Sequence, residues 1–282
     1  MYLDAGINRF SVGAQTFKDS LLKSVNREHN ASDTLNTLAL LRHYDLNFTF
    51  DILFGLPGQS LEDLEKDLEI AMQQGARHIS PYCLTVPEGH PLSKVRPPEE
   101  VQLDMFELIH NKLLENGFYQ YEISNYAQPG FESRHNQLYW QDEEYWGLGL
   151  SSHSYSKEGP FGLRFWNASN INEYVKQIQL GSMQSFTSPI QTPQSLQFER
   201  LEAHQFLTDF CHTSLRMQSG LEIAKLEFRY PTSVLKKLET IAQDLSKRGL
   251  LQLHQGRYSL TRQGQFVSNQ IFEKFTFLAD EI

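Results

Sequence analysis

The sequence predicts an α/β fold, with parallel βα units in its first half and a mostly helical, winged-helix-like domain at its end. Three observations carry this prediction. Strand-like and helix-like stretches alternate from Ile7 to Ser124. A Ser/Gln/Thr/Pro-rich stretch, Ser182–Gln197, then reads as a linker. Near the end, a helical run over Thr232–Arg248 precedes two short strand-like runs, Leu250–His254 and Arg257–Leu260, with Gln255-Gly256 between them. Helix followed by hairpin is the outline of a winged helix. The chain has 282 residues, 40% of them apolar, enough for one large domain or two ordinary ones.

Taken in order, Ile7–Val12 reads as a strand. Ala31–Tyr44 is a helix with Leu35, Leu38, Ala39, Leu40 and Leu41 giving its apolar face. Phe48–Phe54 is a strand apolar enough to be buried on both faces. Ser60 caps the next helix, with Asp63 completing a capping box and Leu61, Leu64, Leu68 and Met72 as its inner stripe. Gly75 ends that helix. His78–Leu84 is a strand with Cys83 packed inside it. Pro97 and Pro98 open a long helix that turns Val101, Met105, Leu108, Ile109 and Leu113 inward and closes at Gly117. Tyr119–Ser124 is again a strand. From about Asn125 to Leu180 the chain is irregular and aromatic.

Composition excludes several classes. No window approaches the roughly 18 apolar residues of a membrane span, and no basic stretch with an apolar run behind it opens the chain. Two cysteines, Cys83 and Cys211, cannot build a disulfide framework, so the expected location is cytoplasmic. The net charge of −9 opposes non-specific nucleic-acid binding, and the near-balanced charges of the last segment leave little footprint for DNA.

In parallel α/β architectures, chemistry sits beyond the C-terminal ends of the strands. That directs attention to Gln15, to Asp51 with the Gly55-Leu56-Pro57-Gly58-Gln59 turn, and to Thr85. Several stretches here match a known family in order and spacing. Gly6-Ile7-Asn8-Arg9-Phe10-Ser11-Val12-Gly13-Ala14-Gln15-Thr16-Phe17, Val25-Asn26-Arg27-Glu28 and Asp51–Gln59 resemble the oxygen-independent coproporphyrinogen III oxidase family of radical-SAM proteins. Tyr121-Glu122-Ile123-Ser124-Asn125-Tyr126-Ala127 and Arg134-His135-Asn136-Gln137-Leu138-Tyr139-Trp140 are similar to its haem-chaperone branch. Phe206 to Phe275 resembles the family's HemN-type end domain.

The resemblance implies the C-terminal βα units of a partial radical-SAM (TIM-like) barrel over residues 1–127. Residues 128–194 form an aromatic-rich connecting segment and linker, and residues 195–282 a winged-helix-like domain. It implies that Gln15, Arg27 and Asp51, and more weakly Thr85, stand at positions that contact S-adenosylmethionine. It implies that His135 ligates haem iron, that Tyr139 and Trp140 stack on the porphyrin and that Arg134 pairs with a propionate. Haem or porphyrin would be the ligand, and haem-accepting respiratory proteins at the membrane the partners, with no nucleic acid. His153, after Gly147-Leu148-Gly149, reads as structural.

One departure is large. The family opens with a Cys-x3-Cys-x2-Cys motif that holds a 4Fe-4S cluster, and this sequence does not contain it. The chain therefore reads as a fragment without radical chemistry of its own. Two other readings stay open here: a full radical-SAM enzyme of porphyrin metabolism whose upstream segment is omitted, and a winged-helix regulatory binding module.

Overall fold

In the computed structural model, residues 2–87, 89–181 and 197–282 are described. They divide into two compact units, with the chain boundary between Glu132 and Ser133. The linker read over Ser182–Gln197 lies outside the described residues except for Gln197, which opens a strand.

The first unit is built on an open five-stranded sheet. Its elements run β1 (Arg9–Gln15), α1 (Asp19–Ser24), α2 (Ala31–His43), β2 (Asn47–Phe54), α3 (Leu61–Gln73), β3 (His78–Cys83), α4 (Glu99–Glu115), β4 (Tyr119–Glu122) and β5 (Asn125–Ala127). The sheet order is β1-β2-β3-β5-β4. The first three strands are parallel, in register Phe10↔Phe48 and Phe50↔Ile79. The last two form an antiparallel hairpin, and β5 also pairs antiparallel with β3. The single parallel strand read over Tyr119–Ser124 is thus corrected to two short ones. β1 also starts two residues later than read and carries a register irregularity between Val12 and Gln15.

β2 obeys the two-residue period of a strand rather than the expectation of two apolar faces. Phe48, Phe50, Ile52 and Phe54 are buried as one set, and the alternate set is Asn47, Thr49, Asp51 and Leu53. The helices supply the apolar partners. α3 buries Leu64, Asp67, Leu68 and Ala71, while Leu61 at its start is exposed. α2 buries Thr34, Leu38 and Leu41 and leaves Leu35 and Leu40 outside. α4 buries Met105, Phe106, Ile109 and Leu113. Each large aliphatic side chain buried here contributes about 1.5–3 kcal/mol. Capping boxes start two helices, Asn30 with Asp33 on α2 and the expected Ser60 with Asp63 on α3.

The second unit contains α5 (Arg134–Trp140), β6 (His153–Ser156), β7 (Leu163–Trp166), α6 (Ile171–Gly181), β8 (Gln197–Arg200), α7 (Ala203–Arg216), α8 (Thr232–Lys247), β9 (Leu251–His254), β10 (Arg257–Leu260), α9 (Arg262–Phe266) and α10 (Ser268–Lys274). Strands β6, β7 and β8 form an antiparallel sheet in that order, a feature absent from the irregular segment read there. The expected hairpin is β9–β10, and both turn residues, Gln255 and Gly256, have positive φ. That backbone is the tight hairpin turn whose twist matches the strands. Phe206, Leu207, Cys211 and Leu215 of α7 and Leu238 and Leu245 of α8 lie in this unit's core with Leu251, Tyr258, Ile271 and Phe275.

The polar side of the first sheet is hydrogen-bonded internally. Thr49 Oγ1 lies 2.6 Å from His78 Nδ1, and His78 Nε2 lies 2.8 Å from the Tyr121 hydroxyl. Burial, reinforced by the Arg9 charge, pushes His78 down to about 3, so the ring is neutral when folded. A depressed folded value stabilises the fold above the usual histidine range, and that stability is lost as pH falls from about 6.5 toward 3. The span is worth about 5 kcal/mol at most. Asp67 has the opposite sign. Burial raises it to about 6, so its contribution is present below the ordinary carboxylate range and fades as pH rises through 6. Urea unfolding followed from pH 7 to pH 4.5 should therefore show His78→Gln losing less stability on acidification than the parent. Asp67→Asn should lose more. Equal slopes for His78→Gln and the parent would contradict a buried neutral imidazole.

Candidate functional site

The sequence-predicted residues fall in two places, one in each unit. In the first, Gln15 ends β1 with φ of 64° and is buried. A Cβ on Gly13 would sit 2.9 Å from the Gln15 amide nitrogen, so the missing side chain leaves room for that amide. The turn beyond is pinned from α3, where Asp67 Oδ1 accepts the Phe17 N–H at 2.7 Å. Sequence reading missed Asp67, because an acid inside a helix with many exposed acids carries no distinguishing signal.

Asp51 lies inside β2, with three strand residues after it, and not beyond the strand's end. Its Oδ2 accepts from the Ser11 hydroxyl at 2.9 Å. Burial raises its pKa, opposed by the Ser11 hydroxyl and the Arg9 charge. Gln15 is in register with Ile52, the residue after Asp51, so these two candidates share adjacent strands. Arg27 and Thr85 stand exposed, on the segments after α1 and β3. The Gly55–Gln59 turn closes on itself: Gly55 and Gly58 have positive φ, and the Gln59 side chain takes the Leu56 N–H and donates to the Leu53 carbonyl. Cys83 is half-buried at the end of β3, with Arg96 Nη2 3.6 Å from its sulfur, rather than packed inside the strand.

In the second unit, Ser133 caps α5 by accepting the Asn136 N–H. His135 and Tyr139 lie four residues apart and so share a helix face. The Tyr139 hydroxyl is 3.0 Å from His135 Nε2, and the rings meet edge-on with centroids 5.0 Å apart. Tyr139 also meets Tyr145 at 4.4 Å, and Tyr145 meets Tyr155 at 6.2 Å. His135 and Arg134 are exposed, while Tyr139 and Trp140 are half-buried. One face of Trp140 is covered by the Arg216 guanidinium, 4.5 Å from the ring centroid. A cavity of about 220 Å³ lies behind this face, bordered by Tyr139, Trp140, Tyr145, Tyr155 and Asp209. It is smaller than an ordinary small-molecule pocket, so a large planar ligand would lie against the surface rather than inside.

The Gly-rich loop is organised around Asn167, a residue to which sequence reading assigns no role. Its amide donates to the carbonyls of Gly147 and Gly149. His153 stacks on Trp166 with centroids 5.5 Å apart, in keeping with a structural role. A Cβ on Gly147 would come within 2.2 Å of the His153 carbonyl oxygen, a contact that only backbone movement relieves. Gly147→Ala should lower stability by more than about 2 kcal/mol. A reduced denaturant midpoint at unchanged slope is the check, and an unchanged midpoint would show that the loop yields freely.

Two family models match this chain: the Radical SAM superfamily over residues 1–71 and the HemN C-terminal domain over residues 201–267. The chain is 32% identical to the heme chaperone HemW of Bacillus subtilis (strain 168) over 281 residues, covering 96% of this chain and 70% of that protein. It is 31% identical to the heme chaperone HemW of Lactococcus lactis subsp. lactis (strain IL1403) over 288 residues, covering 99% and 71%. Among solved structures, coproporphyrinogen III oxidase (HemN) from Escherichia coli, described as a radical SAM enzyme, superposes with a TM-score of 0.71 at 18% identity. That match covers 98% of this chain and 65% of the other, and it is a likeness of fold. No helix among the described residues is long and apolar enough to cross a membrane. With 31–32% identity sustained over almost its whole length, the chain belongs to the HemN/HemW-like radical-SAM family.

Proposed function

We propose that the protein binds haem as a HemW-type chaperone, with His135 as the axial ligand. The observation that carries this reading is the exposed imidazole of His135 beside the ring of Tyr139, which in turn meets Tyr145, in a chain whose relatives are named heme chaperones. The donor set suits the cargo. Imidazole is a good ligand for haem iron, aromatic side chains offer stacking area to the macrocycle, and exposed Arg134 can pair with a propionate. Trp140 is half-buried with the Arg216 guanidinium over its ring, which limits the area it can offer.

Gln15, Arg27, Asp51 and Thr85 are proposed as the S-adenosylmethionine-facing group. Gln15 brings both donor and acceptor, Asp51 can take a ribose hydroxyl or an ammonium, and Arg27 offers a fork to a carboxylate. The 4Fe-4S cluster does not fit these residues. The sequence contains two cysteines, Cys83 half-buried and Cys211 fully buried in α7, whereas a cluster needs several thiolates. Among the described residues, no group of three or more His, Cys, Asp or Glu is disposed to hold a metal ion. We therefore assign no radical step to this chain.

The functional division proposed is 1–127 for the partial barrel, 128–194 for the haem-bearing connection and 195–282 for the end domain. Cytoplasmic action, transfer to haem-accepting respiratory proteins at the membrane and absence of nucleic-acid binding complete the reading. The acidic net charge supports the last point.

The test is a hemin titration followed by Soret absorbance. The parent should form a stoichiometric complex, and His135→Ala should lose it. A His135→Ala protein that binds hemin as tightly, with the same axial ligation, would remove His135 from the role.

A further inference from the structure

We infer that the Tyr139 hydroxyl caps the ligating nitrogen of His135, so that haem must displace an internal hydrogen bond before the imidazole can reach iron. The inference rests on the haem-binding reading above and concerns how that site is held in reserve.

The geometry is specific. Nε2 is the outer nitrogen of the imidazole, while Nδ1 lies beside Cγ and closer to the helix backbone. Nε2 is the atom that faces Tyr139, at 3.0 Å from its hydroxyl. Whichever atom carries the shared proton, that nitrogen is engaged. The phenol is not placed there by chance rotation. Its ring is held edge-on to His135 on one side and to Tyr145 on the other, at 5.0 and 4.4 Å between centroids. Behind it, Tyr145 pairs with Tyr155 through backbone hydrogen bonds in both directions and through a ring contact. Tyr139 is half-buried in this wall, and His135 is exposed. When the bond opens, the histidine is therefore the side chain that swings, and Tyr139 stays.

The consequence for affinity follows from population arithmetic. A binding-competent state that is only fractionally populated weakens the apparent affinity by that fraction. A hydrogen bond of ordinary net strength keeps the uncapped imidazole at roughly one part in three to one part in ten. A carrier that must surrender its cargo is served by such a competitor, which recaptures the ligand nitrogen on release. Tyr139 is thus a positioning residue as well as a wall.

Tyr139→Phe keeps the ring and its contact with Tyr145 while removing the hydroxyl. It should bind hemin about three- to tenfold more tightly than the parent, with the same axial-ligand spectrum. In the haem-free protein, His135 should react correspondingly faster with diethyl pyrocarbonate, read by peptide mass. The His135→Ala titration separates the two levels. If His135→Ala loses hemin while Tyr139→Phe changes neither affinity nor reactivity, the cap is wrong and the haem reading stands. If His135→Ala binds like the parent, the haem reading itself falls, and the cap with it. A tyrosinate-to-iron charge-transfer band in the parent that vanishes in Tyr139→Phe would place the phenol on the iron and overturn the cap.

Discussion

The alternation of β2 governs the first unit. Phe48, Phe50, Ile52 and Phe54 take one phase of the strand and are buried, which leaves Thr49 and Asp51 in the other phase. A polar set inside a folded unit is tolerable only if its atoms are partnered. The neighbouring strands meet that demand for Thr49 and Asp51. Ser11 of β1 serves Asp51, His78 of β3 serves Thr49, and Tyr121 of β4 serves His78. Ser80 and Glu122 both engage Asn125, which extends the network to the antiparallel hairpin. A one-residue slip of β2 would turn Asp51 into the aromatic layer and the aromatic set onto the polar network, so the register is strongly fixed.

The second unit solves a different problem. α5 has seven residues, too few to be stable as an isolated helix. Its cap at Ser133, the Arg216 guanidinium over Trp140 and the row Tyr139, Tyr145, Tyr155 hold it in place. The Gly-rich loop nearby depends on close backbone approach at Gly147 and on the Asn167 amide. A helix anchored by its C-terminal residues can leave its second residue, His135, in solvent.

Much of this was legible in the sequence, for identifiable reasons. The Ser60–Asp63 capping box, the Gly75 stop and the Gln255-Gly256 hairpin turn are local signals, and each is present. The α/β class followed from the alternation of elements. What escaped was non-local. Phe48–Phe54 reads as uniformly apolar because four large side chains mask the polar phase between them. The break between Glu122 and Asn125 reverses the chain direction without Gly or Pro, so nothing local announces a hairpin. Asp67 and Asn167 act on backbone groups fifty and about twenty residues away, and no spacing rule reveals such partners. At the candidate sites the residues were named from pattern, but Asp51's bond to Ser11 belongs to the fold alone, and His135's bond to Tyr139 follows from a helix in a segment that reads as irregular.

Those two bonds make the candidate sites alike in one respect and unlike in another. In each, the polar atom offered to a ligand already has a partner within the chain. Binding there exchanges one hydrogen bond for another, and such exchanges yield little net free energy. Affinity must then come from apolar contact, at about 25 cal/mol per Å² removed from water. Around Asp51, the adjoining side chains are Ser11, Ser80 and Arg9, which offer a ligand mainly further exchanges. Beside His135 stands Tyr139, which is itself in contact with Trp140 and Tyr145, an aromatic group that gives a porphyrin the area that an exchange alone cannot. The physical chemistry of the surroundings, more than the identity of the donor, is what favours the histidine face as the place where this chain holds a ligand.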